Sequence, residues 1–198
     1  MEALIIVDVQ NDFCPGGALA VPEGDLVVPV INAARGSFKR VVLTQDWHPA
    51  GHKSFASAHP GKQVYDLVPL GAQQQVLWPD HCVQNSTGAE FHPKLTRLPT
   101  DNVFRKGTLP MVDSYSGFLD NDKIHETGLR NFLLDEGVTR LTVAGLATDY
   151  CVKFTVLDAL RYGFQVKVLK AGCRAVNLQP GDGEKAFQEM GAAGAEIV

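Results

Sequence analysis

The chain has 198 residues, which suits one α/β domain and is short for two. Its hydrophobic content of 45% and its charged content of 20% are ordinary for a globular protein. A net charge of −4 and an isoelectric point near 5.8 give no electrostatic reason to expect nucleic acid or an anionic membrane as a partner.

The cysteines and the first residues indicate the compartment in which the protein works. The four cysteines are far apart and form no C-x-x-C pair, which argues against a zinc finger, a thioredoxin-type motif and a secreted disulfide scaffold. No apolar run approaches the ~20 residues of a membrane span, and the first residues lack a basic leader. We therefore expect a cytoplasmic protein, and the sequence leaves open whether it forms a homo-oligomer.

Short apolar segments alternate with helical patterns along the chain. Strands are predicted at residues 4–7, 41–44, 103–104, 140–144, 165–169 and 195–198. Helices are predicted at residues 25–38, 127–137, 148–163 and 182–190, the first of them capped by Asp25. The alternation predicts a single domain over residues 1–198, with a three-layer α/β/α fold around a six-stranded, mainly parallel sheet.

Residues 46–101 form a long, irregular region that contains five of the six histidines. A loop of this length inside a compact domain is usually functional. Asp46 and His48 stand at its start, after the second strand, and extended backbone would point both side chains to the same side. One carboxylate and one imidazole suit zinc, iron or manganese, although D-x-H alone is a weak signal.

Cys151 follows the strand at residues 140–144, and the helical pattern that begins at Thr148 places it in the first turn of a helix. A helix start or a neighbouring cation can lower a thiol pKa from ~8.5 to ~3.5–7.5, which favours a nucleophilic role. The alternative is a small buried hydrophobe, the commoner fate of a free cysteine. This stretch alone leaves both open.

Chemically active side chains follow four different predicted strands. They are Asp8, Asp46 with His48, Lys106 and Cys151. Since the carboxyl ends of parallel strands meet at one edge of a sheet, where ligands bind, we expect these side chains to converge. Together they would supply a nucleophile, an acid/base carboxylate, a cation and a corner for a metal.

The chain resembles the isochorismatase-like cysteine hydrolases and, among them, the bacterial nicotinamidases (pyrazinamidases). The matching stretches are residues 7–13, 45–49, 78–83, 106–107 and 145–152. The resemblance implies hydrolysis of nicotinamide to nicotinic acid and ammonia, a reaction of NAD salvage, and hydrolysis of pyrazinamide as well.

The resemblance also implies a role for each matching residue of the catalytic set. Cys151 would attack the amide carbon and form a thioester, and Asp8 would take the thiol proton and pass it to the departing ammonia. Lys106 would hold Asp8 and the thiolate in place. Backbone N–H groups of Ala147 and Cys151 would form the oxyanion hole, with a cis peptide between Leu146 and Ala147.

The resemblance further implies one divalent metal ion, zinc, iron or manganese, held by Asp46, His48 and His81. The metal would bind the pyridine nitrogen and orient the ring. Aromatic residues that match ring-packing positions are Phe13 and Trp78, with Tyr115 nearby. Some relatives have a fourth protein ligand eight residues after the aspartate; here that position is Ser54, which would act through water or not at all.

Two other hypotheses remain open at the level of the sequence. The first is a sibling cysteine amidohydrolase that acts on a carbamoyl or ureido substrate without a metal. The second is a non-catalytic interaction or redox module of the same fold. The complete set of Asp8, Lys106 and Cys151 argues against the second hypothesis, and the metal motifs argue against the first.

Overall fold

The structure, a computed structural model, describes residues 1–70 and 73–198. The strands of this part are, in chain order, β1 (Glu2–Val7), β2 (Arg40–Asp46), β3 (Leu67–Leu70), β4 (Gln73–Val76), β5 (Asn102–Lys106), β6 (Arg140–Leu146), β7 (Gln165–Arg174) and β8 (Glu196–Ile197). Six of them form one sheet in the spatial order β5-β2-β1-β6-β7-β8, and every neighbouring pair is parallel. This confirms the predicted six-stranded sheet.

Helices cover both faces of the sheet. They are α1 (Val27–Arg35), α2 (Leu129–Asp135), α3 (Lys153–Arg161) and α4 (Asp182–Ala192). Helix α1 packs on one face and α2, α3 and α4 pack on the other, which gives the predicted three layers. Within the described residues, none of these helices combines the length and the apolar character needed to cross a membrane.

The central strand β1 explains why both faces are covered. Its side chains alternate between the two faces, so Ile5 contacts the layer of α2, α3 and α4 while Leu4 and Ile6 contact the layer of α1. All three are fully buried. Burying such a side chain stabilises the fold by about 1.5–3 kcal/mol, so exposing either face of β1 would be costly.

Several elements differ from the prediction. Strand β7 continues to Arg174, five residues beyond the predicted end, after a shift of register against β6. Helix α1 begins at Val27, because a 3₁₀ turn at Gly24–Leu26 precedes it, and its N-cap residue is Leu26 rather than the predicted Asp25. Strands β3 and β4 form a hairpin inside residues 46–101, where the sequence predicted irregular structure. Proline is a poor strand signal, and β3 contains one, while β4 consists mainly of glutamine and shows no apolar alternation.

Gly145 brings β6 unusually close to β1. Its φ is +133°, and a Cβ atom there would lie 2.1 Å from the carbonyl oxygen of Val7. The contact lies where the two strands end, immediately before Asp8 and Leu146. A side chain at position 145 would therefore push the two strand ends apart.

We expect Gly145→Ala to lower the free energy of unfolding by about 3 kcal/mol, because it adds both a backbone clash and an unfavourable φ. Urea denaturation measures the change. Gly191→Ala is the matched control: Gly191 lies in α4, and its added Cβ would meet only Ile197, at 3.9 Å. The control should be neutral or stabilising by about 0.5–1 kcal/mol. Equal effects in both variants would contradict this account.

Candidate active site and metal centre

A buried ammonium group stands at the centre of the site. Lys106 ends β5 with a fully buried side chain. Its Nζ lies 2.9 Å from Asp8 Oδ2 and 3.0 Å from Asp46 Oδ1, and it donates to the Ser114 carbonyl at 2.8 Å and to Cys151 Sγ at 3.4 Å. Burial alone would lower the pKa of Lys106, but the adjacent carboxylates raise it well above its usual value. The group is therefore a permanent cation.

Asp8 follows β1 in a left-handed conformation, with φ of 47°, which ends the strand. Its carboxylate is fully buried, and Thr44 Oγ donates a hydrogen bond to Oδ1 at 2.6 Å. Burial raises the pKa of Asp8 above its usual value, although Lys106 opposes the shift. A carboxylate with a raised pKa is better matched to accepting a proton near neutral pH.

Cys151 lies in a wide π-helical turn, Thr148–Val152, and α3 begins only after it, at Lys153. Cys151 thus lies in the first helical turn after β6, as predicted, but that turn is π-helical. The lowering of a thiol pKa that a helix start or a cation can cause does not dominate here. Burial raises the pKa of the Cys151 thiol well above its usual value, and Lys106 only partly offsets this. The thiol therefore holds its proton at rest and needs a base.

Asp46, His48 and His81 form a buried group whose ligand atoms all lie within 4.8 Å of one another. Asp46 Oδ2 lies 3.0 Å from His48 Nε2 and 3.4 Å from His81 Nε2. The structure thus brings together the three predicted metal ligands, although 33 residues separate the two histidines in the sequence. Two imidazoles and one carboxylate suit zinc, iron or manganese.

Hydrogen bonds fix how both imidazoles face the group. His48 Nδ1 lies 2.9 Å from the Gly107 carbonyl, and His81 Nδ1 lies 2.7 Å from the Pro79 carbonyl. A carbonyl only accepts, so each Nδ1 carries the hydrogen and each Nε2 lone pair faces Asp46. Among the residues that the structure describes, none forms a hydrogen bond of good geometry with the buried His48 Nε2. Lone pairs and a carboxylate that face one another repel unless a cation lies between them. These residues therefore fit a divalent metal.

Ser54, the position of a fourth ligand in some relatives, is turned toward another partner. His52 Nε2 donates to the Val112 carbonyl at 3.2 Å, so its Nδ1 accepts a hydrogen bond from the Ser54 hydroxyl at 2.7 Å. The His52 ring packs on the ring of His48 at 4.3 Å between centroids. His52, held by Ser54, therefore packs against the His48 ring and helps to fix its position.

Two supporting residues were missed in the sequence. Gln10 clamps the backbone of Asp46: its Nε2 donates to the Asp46 carbonyl at 2.8 Å, and its Oε1 accepts from the Asp46 N–H at 2.8 Å. Gly107 lies against His48, and a Cβ there would come within 2.5 Å of the ring. Both residues fall in stretches that carried the resemblance, which was the available signal.

A narrow cavity of about 30 Å³ opens beside the sulfur and the metal group. The residues predicted to contact the ring or the oxyanion all line it, namely Phe13, Trp78, Tyr115, Ala147 and Cys151. Residues of its wall that the sequence did not single out are Leu19, Asp113, Tyr150 and Val176. The peptide bond between Leu146 and Ala147 is cis. A wider groove of about 1160 Å³ around Trp47 and Arg105 contains none of the predicted catalytic side chains.

Comparisons with known proteins agree with this geometry. The isochorismatase domain matches residues 2–198. A nicotinamidase of Escherichia coli (strain K12) is 54% identical over 202 residues, which cover 99% of this chain and 93% of that protein. The solved structure of an Acinetobacter baumanii nicotinamidase/pyrazinamidase has a TM-score of 0.95 and 46% identity, and covers 100% of this chain and 95% of its own. The pyrazinamidase of Pyrococcus horikoshii in complex with zinc has a TM-score of 0.83 and 40% identity, with coverage of 100% and 98%.

We expect Gln10→Leu to lower the free energy of unfolding by about 2–4 kcal/mol, because the N–H and carbonyl of Asp46 lose their buried partner. Zinc affinity should fall as well, since Asp46 is no longer held. Urea denaturation and chelator competition measure the two effects. The control Gln45→Leu removes a buried amide whose hydrogen bonds go to the Ala89 carbonyl and to Arg105, and leaves the Gln10 clamp on Asp46 in place. If both variants bind zinc equally, Gln10 does not position the ligand.

Proposed function

We propose, from the premise that this chain belongs to the isochorismatase domain family, that it is an amidohydrolase that converts nicotinamide to nicotinic acid and ammonia in NAD salvage. Pyrazinamide, which shares the amide and a nitrogen heteroaromatic ring, would be a second substrate. The observation that carries the proposal is the position of Lys106. Its ammonium contacts Asp8 and Cys151, and it contacts Asp46, which belongs to the metal group. The curated Escherichia coli relative is a nicotinamidase, which supports the choice of amide.

The first half of the reaction forms a thioester. Asp8 takes the proton of the Cys151 thiol while the sulfur attacks the amide carbon, and the carbonyl oxygen becomes an oxyanion. Backbone N–H groups of Ala147 and Cys151 would stabilise this charge, and one such donor is typically worth about 10²–10³ in rate. Asp8 then gives its proton to the amide nitrogen, the C–N bond breaks and ammonia leaves.

The second half restores the enzyme. Asp8 takes a proton from water while the water oxygen attacks the thioester carbon. The C–S bond then breaks, Cys151 regains the proton from Asp8, and nicotinic acid leaves. Lys106 stays protonated throughout and holds the sulfur and the Asp8 carboxylate together, so one carboxylate can serve both proton transfers.

Asp46, His48 and His81 would hold one divalent metal ion. When bound, the ion supplies a Lewis-acid site for the pyridine nitrogen, which fixes the ring so that the amide faces Cys151. Zinc is our first choice, because the donor set suits it and the Pyrococcus horikoshii relative was solved with zinc. The buried triad disfavours the metal-free alternative that acts on carbamoyl or ureido substrates.

We further propose that residues 1–198 act as one domain, in which residues 46–101 contribute metal ligands and ring contacts. The aromatic walls Phe13, Trp78 and Tyr115 would contact the ring. All four cysteines are buried free thiols, which supports work in a reducing compartment such as the cytoplasm. That the chain binds neither nucleic acid nor membranes stays a prediction.

We expect Cys151→Ala to lower ammonia release from nicotinamide by at least about 10³-fold, because the nucleophile is lost. A coupled ammonia assay measures the rate. The matched control is Cys173→Ala, which removes another buried free thiol outside the cavity and should keep the wild-type rate. Turnover that survives in Cys151→Ala would end the assignment of the nucleophile.

We expect removal of the metal with a chelator to abolish most nicotinamide turnover, and zinc, iron or manganese to restore it. Asp46→Ala should bind no metal and should not be restored, since it removes the carboxylate shared by both imidazoles. Elemental analysis of protein purified without added metal completes the test. Full activity in metal-free protein would favour the sibling hydrolase acting on a carbamoyl substrate.

A further inference from the structure

The two oxygens of the Asp8 carboxylate have different surroundings. The Thr44 hydroxyl donates a hydrogen bond to Oδ1 at 2.6 Å, and both side chains are fully buried. A distance of ~2.5–2.7 Å is typical of a hydroxyl that donates to an ionised carboxylate. Oδ2 instead lies 2.9 Å from Lys106 Nζ, and no residue of the described chain forms a hydrogen bond of good geometry with it. Oδ1 is therefore occupied, whereas Oδ2 is open.

The open oxygen of Asp8 and the sulfur of Cys151 share one ammonium group. Lys106 Nζ lies 2.9 Å from Asp8 Oδ2 and 3.4 Å from Cys151 Sγ. The hydrogen bond from Thr44 fixes the rotation of the carboxylate about its Cβ–Cγ bond, so Oδ2 stays beside the ammonium. A hydrogen bond that already points at Oδ1 also makes that oxygen a poorer proton acceptor than Oδ2. The two oxygens of the base are therefore not equivalent.

The orientation of Thr44 depends on a glycine in the loop after β5. Thr44 lies in β2, and its methyl group faces Gly117, which is buried. A Cβ atom at position 117 would lie 2.7 Å from the methyl carbon, and its next contacts would be ordinary ones, at 3.5 Å. The missing side chain therefore makes room for the methyl group. Because χ1 of a β-branched side chain is stiff, a methyl group held against Gly117 also holds the hydroxyl against Asp8.

Hydrogen bonds hold Gly117 itself in place. Its backbone N–H donates to the Thr155 hydroxyl at 2.9 Å, and its carbonyl accepts from the Thr127 hydroxyl at 2.6 Å. Thr155 lies in α3, and Thr127 lies just before α2. Moving the loop away from Thr44 would break these buried bonds. The methyl group of Thr44 therefore packs on a fixed surface.

We propose that Thr44 is a positioning residue for the catalytic base. Its hydroxyl occupies Asp8 Oδ1 and so directs the proton of the Cys151 thiol to Oδ2. The inference rests on the proposed function, because it refines the proton transfers of that reaction. In the first transfer the S–H bond breaks and an O–H bond forms at Oδ2. In the second that O–H bond breaks and an N–H bond forms at the departing nitrogen, while Thr44 keeps its own hydrogen.

Two single variants separate the hydroxyl of Thr44 from its methyl group. Thr44→Val removes the hydroxyl and keeps the shape, and we expect kcat for nicotinamide to fall about 10–10²-fold with KM unchanged, because the base is no longer held. Thr44→Ser keeps the hydroxyl and should stay near the wild-type rate. Thr142→Val is the matched control: Thr142 is a strand threonine that donates to the Glu2 carboxylate at 2.8 Å, and neither residue lines the cavity. It should keep the wild-type rate.

The pH dependence of kcat/KM supplies a readout that a merely structural role would not move. Burial raises the pKa of Asp8, whereas the hydrogen bond from Thr44 lowers it, because it favours the charged form. Since kcat/KM falls as pH falls through the pKa of the base, the acidic limb in Thr44→Val should shift to higher pH. The limb should not move in Thr44→Ser. The other titratable groups that act on Asp8 are the same in every variant, namely Lys106, Asp46 and Cys151.

Gly117→Ala tests the same contact without changing Thr44. The added Cβ would displace the methyl group and, with it, the hydroxyl, so kcat should fall as in Thr44→Val. The double variant Gly117→Ala with Thr44→Ser should recover, because serine lacks the methyl group that the added Cβ meets. Thermal melts establish that each variant folds. If Thr44→Val does not fold, this loss and its repair decide the matter in its place.

Alkylation of Cys151 by iodoacetamide, located by peptide mass, needs no amide substrate. We expect it to be slower in Thr44→Val and normal in Thr44→Ser, because the thiol needs the base to lose its proton. Equal alkylation and turnover in wild type and Thr44→Val would overturn the inference. So would an equal loss in Thr44→Ser, or a Gly117→Ala defect that Thr44→Ser does not repair. A wild type that shows the alkylation difference but hydrolyses neither nicotinamide nor pyrazinamide would instead overturn the proposed function.

Discussion

The structure depends on the burial of one ammonium group, that of Lys106. Removing such an ion from water costs several kcal/mol, and the cost is offset only where carboxylates surround it. The sheet supplies them, because β1, β2 and β5 are neighbours and end at the same edge. Asp46 stands directly opposite Lys106 in the β2–β5 register, and Asp8 follows β1. A slip of one residue in either pairing would turn a charged side chain to the other face of the sheet and leave its partner unpaired.

One carboxylate joins the two halves of the site. Asp46 Oδ1 contacts Lys106, the residue that also contacts the sulfur, and Asp46 Oδ2 contacts the two imidazoles. Lys106 and the two imidazoles therefore both contact the Asp46 side chain. The side chain of Gln10 in turn forms hydrogen bonds with the backbone N–H and the backbone carbonyl of Asp46. Asp46 Oδ1 accepts a hydrogen bond from the ammonium of Lys106 at 3.0 Å, so a permanent cation favours the charged form of this carboxylate.

Much of the site follows from the sequence by one rule, that parallel strands end at a common edge. The rule brings Asp8, Asp46, Lys106 and Cys151 together without any knowledge of the loops. The rule does not predict the π-helical turn at Cys151. It also does not predict the raised pKa of the Cys151 thiol, which depends on how deeply the thiol is buried. It also misses Asp113, which lies in a loop without periodicity. The bond from Gln75 to Asp113 spans 38 residues, and no local pattern predicts such a contact.

The size of the cavity has a consequence for how the protein meets a ligand. A volume of about 30 Å³ holds roughly two water molecules, whereas ligand pockets usually measure about 300–1,000 Å³. Five of the eleven wall residues carry aromatic rings, and Trp78 and Tyr150 meet edge to face at 4.8 Å between centroids. A heteroaromatic ring is larger than this space, so its binding requires these side chains to move.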